Sequence, residues 1–339
     1  MGTNHPLTPS PHPETQHPTP NTQHSTPFAW FARGGVLLVL LLVGWAAGSA
    51  MHTRHSQAWP ARDKRIRVLS TIFPIYDFAR SVGGEDVVVR NLLPPGVDPH
   101  EFALSPRDVS LVAGADIILT NGAGLDDFIG EAVQKAGIST SKIVFLTSGL
   151  PLLNADAGGG KQTGDPHLWL DPIHAEAYVG RIAVALADYE EAKRDRDAEE
   201  RIRSRSVTLG RSLMELDREF TGATHALRGR SFIAFHGAFA YLAERYGLDI
   251  AGVWQKTPGR EPSPHEVQAL LRTARTSNVK ALFAEPQFSP RAIEMIAADA
   301  HLAVYTLDPL ETAEDFDRTH YVDVMRKNLK ALEKALSKS

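Results

Sequence analysis

The chain has 339 residues, and its 36 basic and 40 acidic side chains give a formal net charge of −4. A length of this size favours about two domains, and the charge balance lacks the clustered basic excess of a nucleic-acid-binding protein. Cysteine is absent, which excludes disulfides, iron–sulfur ligation and thiol catalysis, so any transition-metal site must be built from His, Asp and Glu.

The N-terminal part differs in composition from the rest. Residues 1–27 hold seven of the 22 Pro and four of the 14 His, and we predict that residues 1–33 are disordered because they have little apolar surface to bury. Their histidines either bind metal loosely or belong to a plain polar tail. Residues 34–50 are uncharged and end in small side chains, which is typical of a signal peptide. The run approaches the roughly 20 residues of a membrane-spanning helix, so an uncleaved anchor is the alternative, and we expect the chain after His52 to be periplasmic or otherwise extracytoplasmic.

From Ile66 onward, short apolar and β-branched runs alternate with helical patterns, which predicts an α/β fold. The predicted strands span residues 66–72, 87–92, 115–120, 142–147, 231–235, 249–253, 279–284 and 302–307. The predicted helices between them include 105–113, 125–136, 237–246, 264–277 and 290–299. Four strands in each half predict two similar lobes with parallel-rich sheets, which we place at residues 62–195 and 228–339.

A stretch from Asp188 to about Leu227 is dense in charged residues and has apolar residues at spacings near three and four. This pattern predicts a long amphipathic helix, with the part at 196–227 joining the lobes. A pair of helices broken at Gly210 is the alternative.

Several potential metal ligands follow predicted strands or lie in loops beside them. His100 lies in a Pro/Gly loop after the second strand, His167 lies in GDPHLWLDP, and His236 directly follows a strand, as do Glu285 and Asp308. Ligands of open α/β sheets bind beyond the carboxyl ends of the strands, so we expect these side chains to meet. Three imidazoles and one carboxylate suit a four-coordinate metal, while Glu285 either orients an imidazole or replaces a ligand. The other histidines of this part are interpreted as bystanders: His174, His225, His265, His301 and His320.

Six strings carry a resemblance to a known family: VLSTIFPIYDFARSVGG, LLPPGVDPHEFALSPRDV, ADIILTNGAGLDDFI, DPHLWLDP, FHGAFAYLAERYGL and FAEPQFSP. From Arg67 to Leu336, the chain resembles the metal-binding proteins of zinc and manganese ABC importers. The resemblance implies two (βα) lobes joined by a rigid helix, with one metal ion in the cleft between them. It also implies His100, His167, His236 and Asp308 as the ligands, with Glu285 close to the metal.

The sequence departs from that family at two places. Gly237 stands where many relatives have Asp after the third His, and the segment before His167 lacks the His-rich loop of many zinc-specific relatives. The missing loop weakens a simple zinc assignment. The third ligand is nevertheless a histidine, which favours zinc over manganese because manganese prefers oxygen ligands.

These observations predict a protein that is not an enzyme: a monomeric binding protein that delivers zinc, or alternatively manganese, to the membrane permease of an ABC importer. The alternative is a zinc hydrolase, which needs an open metal position for water. Four protein ligands would close that position. A siderophore or corrinoid binder is a third possibility, and it would need a large aromatic or arginine-lined cleft.

Overall fold

The fold is seen in a computed structural model that describes residues 59–60, 63–156, 162–256, 260–288 and 291–337. The predictions for residues 1–33 and 34–50 lie outside these ranges. Residues 57–339 cluster as one compact unit. Within the described ranges, no helix has both the length and the apolar character needed to cross a membrane.

The first half contains a four-stranded sheet in which all neighbouring strands are parallel. Its strands are β1 (Ile66–Ser70), β2 (Val87–Asn91), β3 (Ile117–Thr120) and β4 (Ile143–Phe145), in the order β2-β1-β3-β4. The helices of this half are α1 (Phe73–Gly83), α2 (Pro106–Gly114) and α3 (Phe128–Lys135). A short antiparallel hairpin follows, made of β5 (Asn154–Asp156) and β6 (Gln162–Gly164).

Two long helices follow the hairpin, α4 (Pro172–Lys193) and α5 (Arg196–Thr224). The chain turns between them at Arg194, which adopts the left-handed conformation with φ 64°, and Asp195 then caps α5 by accepting from the N–H of Ala198. The predicted helix from Asp188 is therefore interrupted here. Gly210 lies buried inside α5 and does not break it, which tertiary packing allows at a cost of about 1 kcal/mol relative to Ala.

The second half repeats the all-parallel arrangement. Its strands are β7 (Ser231–His236), β8 (Asp249–Gln255), β9 (Val279–Ala284) and β10 (Ala303–Thr306), in the order β10-β9-β7-β8. The helices of this half are α6 (Ala240–Tyr246), α7 (Pro264–Thr276), α8 (Arg291–Ala300) and α9 (Tyr321–Leu336). The eight predicted strands are confirmed, with ends that shift by up to two residues, and the two-sheet α/β fold is the one that the sequence predicts.

Helix α5 contacts both halves. Near its start, Arg201 and Arg205 form ion pairs with Asp86 beside the first sheet, at 2.6 and 2.7 Å. Near its end, Glu219 pairs with Arg326 of α9 at 2.7 Å. The larger hydrophobic core is continuous from Ile66 in β1 to Leu336 in α9, so α5 packs into an interior that both sheets share. A helix fixed at both ends limits how far the two halves can move apart.

Candidate metal site

Four side chains from separate parts of the fold converge at one point. His100 lies in a 3₁₀ turn, Pro99–Glu101, and His167 directly precedes another, Leu168–Leu170. His236 ends β7, and Glu311 lies in the segment between β10 and α9. One donor atom from each of the four residues lies within 4.8 Å of the other three. The site therefore combines residues from both halves of the chain.

Five of the six separations between the donor atoms are close to the edges of a tetrahedron around a metal ion. The Nε2 atoms of His100, His167 and His236 lie 3.3, 3.0 and 3.2 Å from Oε1 of Glu311. Nε2 of His167 lies 3.3 Å from that of His100 and 3.4 Å from that of His236. A tetrahedron with zinc–ligand distances of about 2.0–2.1 Å has edges of roughly 3.3–3.4 Å. The spacing of these atoms is therefore close to that of zinc ligands.

Carboxylates hold two of the imidazoles from behind. Oδ1 of Asp165 lies 2.7 Å from Nδ1 of His167, and Oε1 of Glu285 lies 2.6 Å from Nδ1 of His236. The same two oxygens accept from the backbone N–H groups of these histidines. Such contacts keep the proton of a neutral imidazole on Nδ1, which leaves the Nε2 lone pair free to bind a metal.

His100 is oriented through its backbone. Asp98 precedes the 3₁₀ turn and accepts from the N–H of His100 at 2.8 Å, which caps the turn. The His100 side chain is 17% exposed, whereas those of His167, His236 and Glu311 are 6% or less exposed. The site therefore has three deeply buried members and one that reaches solvent.

The buried charges shift the proton affinities of the cluster. Burial lowers the pKa of His236, but Glu285 and Glu311 outweigh burial and raise this pKa well above its usual range. For His167, burial also lowers the pKa, and Asp165 and Glu311 raise it overall. Burial raises the pKa of Glu311, whereas His236 and the other imidazoles bring it well below its usual range. Without a metal ion, His167 and His236 therefore bind protons more readily than a free imidazole does. A metal ion that binds at these nitrogens has to replace those protons.

Asp308 is not part of the convergent group. Its Oδ1 accepts from the N–H of Leu310 at 2.8 Å, and the carboxylate next to the imidazoles is that of Glu311, three residues later. Burial, Glu285 and Glu311 together raise the pKa of Asp308 to about 6, against the opposing effect of the Leu310 N–H. The sequence reasoning overlooked Glu311 because it considered only acidic residues directly after a strand. The string DPLE contains a second carboxylate that could have been considered.

Glu285 lies behind His236, in the place of a residue that orients an imidazole. Its other oxygen, Oε2, accepts from Nε2 of Gln287 at 3.0 Å. Gly237 is the position where many relatives have Asp, and a side-chain Cβ built there would meet nothing within 4 Å. Glu285 is therefore the carboxylate that contacts Nδ1 of His236 in this chain, whereas Glu311 lies at Nε2.

A cleft of about 560 Å³ adjoins the cluster. All three imidazoles line it, and small residues such as Gly124 and Gly237 border it. The volume is far larger than one ion needs, so a hydrated cation can reach the Nε2 atoms through this cleft. The other histidines named above are absent from the convergent group, and His174 instead packs edge-on against Tyr241.

The chain is similar to known metal-uptake proteins. Residues 68–335 match the family model described as zinc-uptake complex component A, periplasmic. The zinc-binding protein AdcA of Streptococcus pyogenes serotype M6 is 27% identical over 291 residues, which cover 79% of this chain and 55% of that protein. The high-affinity zinc uptake system protein ZnuA of Bacillus subtilis strain 168 is 26% identical over 289 residues, with coverages of 81% and 89%. This chain therefore spans about half the length of the AdcA relatives that it matches.

Solved structures show the same fold. A crystal structure of ZnuA superposes with a TM-score of 0.68 at 27% identity, covering 80% of this chain and 100% of that one. The crystal structure of Zn(II)-bound AdcA from Streptococcus pneumoniae gives a TM-score of 0.68 at 25% identity, with coverages of 81% and 58%. The Mn²⁺ complex of FpvC from Pseudomonas aeruginosa, at 24% identity, has a TM-score of 0.72 and coverages of 81% and 99%. This last likeness concerns the fold alone.

Proposed function

The chain belongs to the zinc-uptake complex component A family, and from this membership we propose that it binds one zinc ion and delivers it to the permease of an ABC importer. The family description is of a periplasmic component, so the proposed place of binding is outside the cytoplasm. Residues 34–50 would direct export and then be removed or serve as a tether. All four donors come from one chain, so a monomer is sufficient.

The proposed ligands are His100, His167, His236 and Glu311. The observation that carries this assignment is the convergence of three Nε2 atoms and one carboxylate oxygen, with five of their six separations between 3.0 and 3.4 Å. Glu311 takes the place for which Asp308 was predicted. The zinc ion is cargo, so its binding has to be tight enough for capture and its ligands have to be separable for release.

Zinc is the proposed cargo rather than manganese because of the donor chemistry. Three imidazole nitrogens and one carboxylate oxygen are typical of zinc, whereas manganese prefers mainly oxygen ligands. Neutral imidazoles leave the ion with a net positive charge after Glu311 binds. Asp165 and Glu285, each in contact with an imidazole, supply negative charge close to the ion and strengthen the nitrogen donors.

The proposed release of the zinc ion depends on the fact that its ligands come from both halves of the chain. His100 and His167 belong to the first half of the chain and His236 to the second, so a permease that displaces one half relative to the other would break the set. Helix α5, which packs into the hydrophobic core that both sheets share, resists spontaneous separation. The proposal therefore assigns release to the membrane partner.

The hydrolase alternative is not supported. A catalytic zinc typically keeps a position for water beside three protein ligands, whereas four donors converge here. The family is also described as a component of zinc-uptake complexes and not as a hydrolase. The four donors also argue against a siderophore or corrinoid as the ligand, because they leave no coordination position through which an organic ligand could bind the metal.

The direct test is zinc binding by the metal-stripped exported domain, taken as the compact unit of residues 57–339, followed by thermal unfolding. We expect one zinc ion per chain and a rise in the melting temperature with free zinc, because a ligand that binds only the native state stabilises it. At a free concentration about 100 times the dissociation constant, the stabilisation would be about 2.7 kcal/mol. The Glu311→Ala variant should lose most of this rise. A parent protein with an unchanged melting temperature in zinc would contradict the proposal.

A further inference from the structure

The segment that carries Glu311 begins in one half of the molecule and is attached to the other. We call residues 307–320, which connect β10 to α9, the Glu311 segment. The N–H of Gly96 donates to Oγ1 of Thr312 at 2.7 Å, and the ring of Phe316 packs at a tilt against that of Phe73 in α1, with 5.4 Å between the ring centroids. Arg80 of α1 donates to the carbonyl oxygen of Asp317 at 2.8 Å. The carboxylate of Glu311 is thus supported by the first half of the chain as well as by β10.

An unusual backbone conformation directly precedes Glu311. Leu310 has φ 62° and is 1% exposed, although the left-handed region is disfavoured for a side chain of this kind. Asp308 closes this turn with its Oδ1, which accepts from the N–H of Leu310 at 2.8 Å. Such Asx turns give the backbone a local hydrogen bond that compensates for an unfavourable conformation.

Asp308 is itself fixed in place. Its N–H donates to Oδ1 of Asn328 at 2.9 Å, and Nδ2 of Asn328 donates to its carbonyl oxygen at 2.7 Å. Asn328 lies in α9 and is 2% exposed. The turn therefore starts from a residue that α9 holds through both its backbone N–H and its carbonyl oxygen.

A second contact holds the same turn from the first half of the chain. The indole Nε1 of Trp169 donates to the carbonyl oxygen of Pro309 at 2.8 Å. Trp169 is fully buried, lies two residues after His167 and packs edge-on against that imidazole, at 5.3 Å between ring centroids. One side chain thus contacts both the ring of one proposed ligand and the turn that presents another.

We propose that Asp308 and Trp169 are positioning residues of the zinc site, which hold the turn at Pro309–Leu310 so that the Glu311 carboxylate meets the three imidazoles. This inference rests on the proposed function. When the Asp308 side chain is lost, Leu310 can leave the left-handed conformation, which rotates the peptide that leads into Glu311. Asp308 thereby acts on the metal through the backbone and without touching the ion.

The test compares Asp308→Ala with Asp308→Asn in the exported domain. Asparagine keeps an oxygen that accepts from the N–H of Leu310 but has no charge, so zinc affinity should stay close to that of the parent. Alanine removes the acceptor, and affinity should fall roughly 10- to 100-fold, as for other residues that orient a ligand. Affinity is measured by competition with a chromophoric zinc chelator. Equal losses in both variants, or no loss in either, would overturn the role given to Asp308.

Trp169→Phe tests the second contact with a matched control. Phenylalanine fills most of the indole volume but cannot donate to Pro309, so zinc affinity should fall by about tenfold. Trp59→Phe is the control, because the indole of Trp59 likewise donates to a backbone carbonyl, that of Leu111 at 2.9 Å, in α2. The control should bind zinc like the parent. Parental affinity in Trp169→Phe, or the same loss in both variants, would overturn the role given to Trp169.

Amide hydrogen exchange in the metal-free protein separates this inference from the proposed function. The N–H of Leu310 should exchange faster in Asp308→Ala than in the parent and should stay protected in Asp308→Asn. If the parent binds no zinc, the proposed function fails, and the positioning role in the metal site fails with it. If the parent binds zinc but Leu310 exchanges equally in all three proteins, only the positioning role is overturned.

Discussion

The three imidazoles of the site fall into an inner pair and an outer member. His167 and His236 are almost fully buried, and a carboxylate contacts both the backbone N–H and the ring Nδ1 of each. His100 is 17% exposed, and Asp98 accepts from its backbone N–H. From this difference we expect the inner pair and Glu311 to form the buried part of the metal site, and His100 to complete the site from the solvent side.

The largest effect is expected when a member of the inner pair is removed. His236→Ala takes away a ligand and leaves the buried carboxylates of Glu285 and Glu311 without that partner, which is costly in a dry environment. Zinc affinity should fall by more than the roughly 100-fold limit seen for orienting residues. Isothermal titration with zinc measures the loss, and His265→Ala, on the exposed face of α7, is the control. A small loss, similar to that of the control, would contradict the assignment of His236 as a ligand.

The carboxylate behind His236 should have the next largest effect. Glu285→Gln keeps the shape of the side chain but removes the charge that favours the Nδ1–H tautomer, so we expect a loss of zinc affinity of roughly 10- to 100-fold. Gln287→Ala is the matched control, because Gln287 contacts only the far oxygen, Oε2, at 3.0 Å. Competition with a zinc chelator measures both variants. If Glu285→Gln abolished binding as fully as His236→Ala, Glu285 would have to be a ligand.

His100→Ala should be the mildest of the ligand substitutions. The remaining imidazoles and Glu311 still form a three-residue set, and water can take the vacant position, as in zinc sites with three protein ligands. We therefore expect weaker binding than in the parent but tighter binding than in His236→Ala, together with faster zinc dissociation. Stopped-flow exchange into excess chelator measures the dissociation rate. Equal losses in the two variants would remove the distinction between the inner pair and the outer member.

The pH dependence should reflect the inner pair. Because nearby carboxylates raise the pKa of His167 and of His236, both imidazoles hold protons at a higher pH than usual when no metal is bound. Zinc has to displace these protons, so zinc affinity is highest above the raised pKa values and falls as the pH decreases through them. Each displaced proton contributes up to about tenfold per pH unit.

Titrations from mildly alkaline to mildly acidic pH measure this slope. A flat response would contradict the joint participation of His167 and His236. In Glu285→Gln one of the two charges that raise the pKa of His236 is absent, so the decline in affinity should begin at lower pH than in the parent.

The sequence predicted the strands of both sheets because each is a short apolar run next to turn residues. It did not predict the turn between α4 and α5, since the left-handed residue there is Arg194 and neither glycine nor proline marks it. The site carboxylate is a related case. A strand end identifies Asp308, but Leu310, the residue directly before Glu311, adopts the left-handed conformation with φ 62°. Leucine rarely adopts that conformation, so the sequence does not predict the course of the chain into Glu311.

The three histidines could be placed near one another from the sequence because each follows a strand or lies in a Pro- or Gly-rich loop. Their relative depths could not. His167 and His236 are 5% and 3% exposed, and Glu285, 49 residues after His236, meets that ring only in the folded chain. Tertiary contacts therefore decide which imidazoles are buried and which one is accessible.

Anomalous diffraction from zinc-loaded crystals tests most directly which carboxylate completes the site. One anomalous peak per chain is expected, at about 2.0–2.1 Å from the Nε2 atoms of His100, His167 and His236 and about 2.0–2.2 Å from an oxygen of Glu311. Asp308 should remain hydrogen-bonded to the N–H of Leu310. A peak coordinated by Asp308 in place of Glu311, or a peak away from the three imidazoles, would contradict the account.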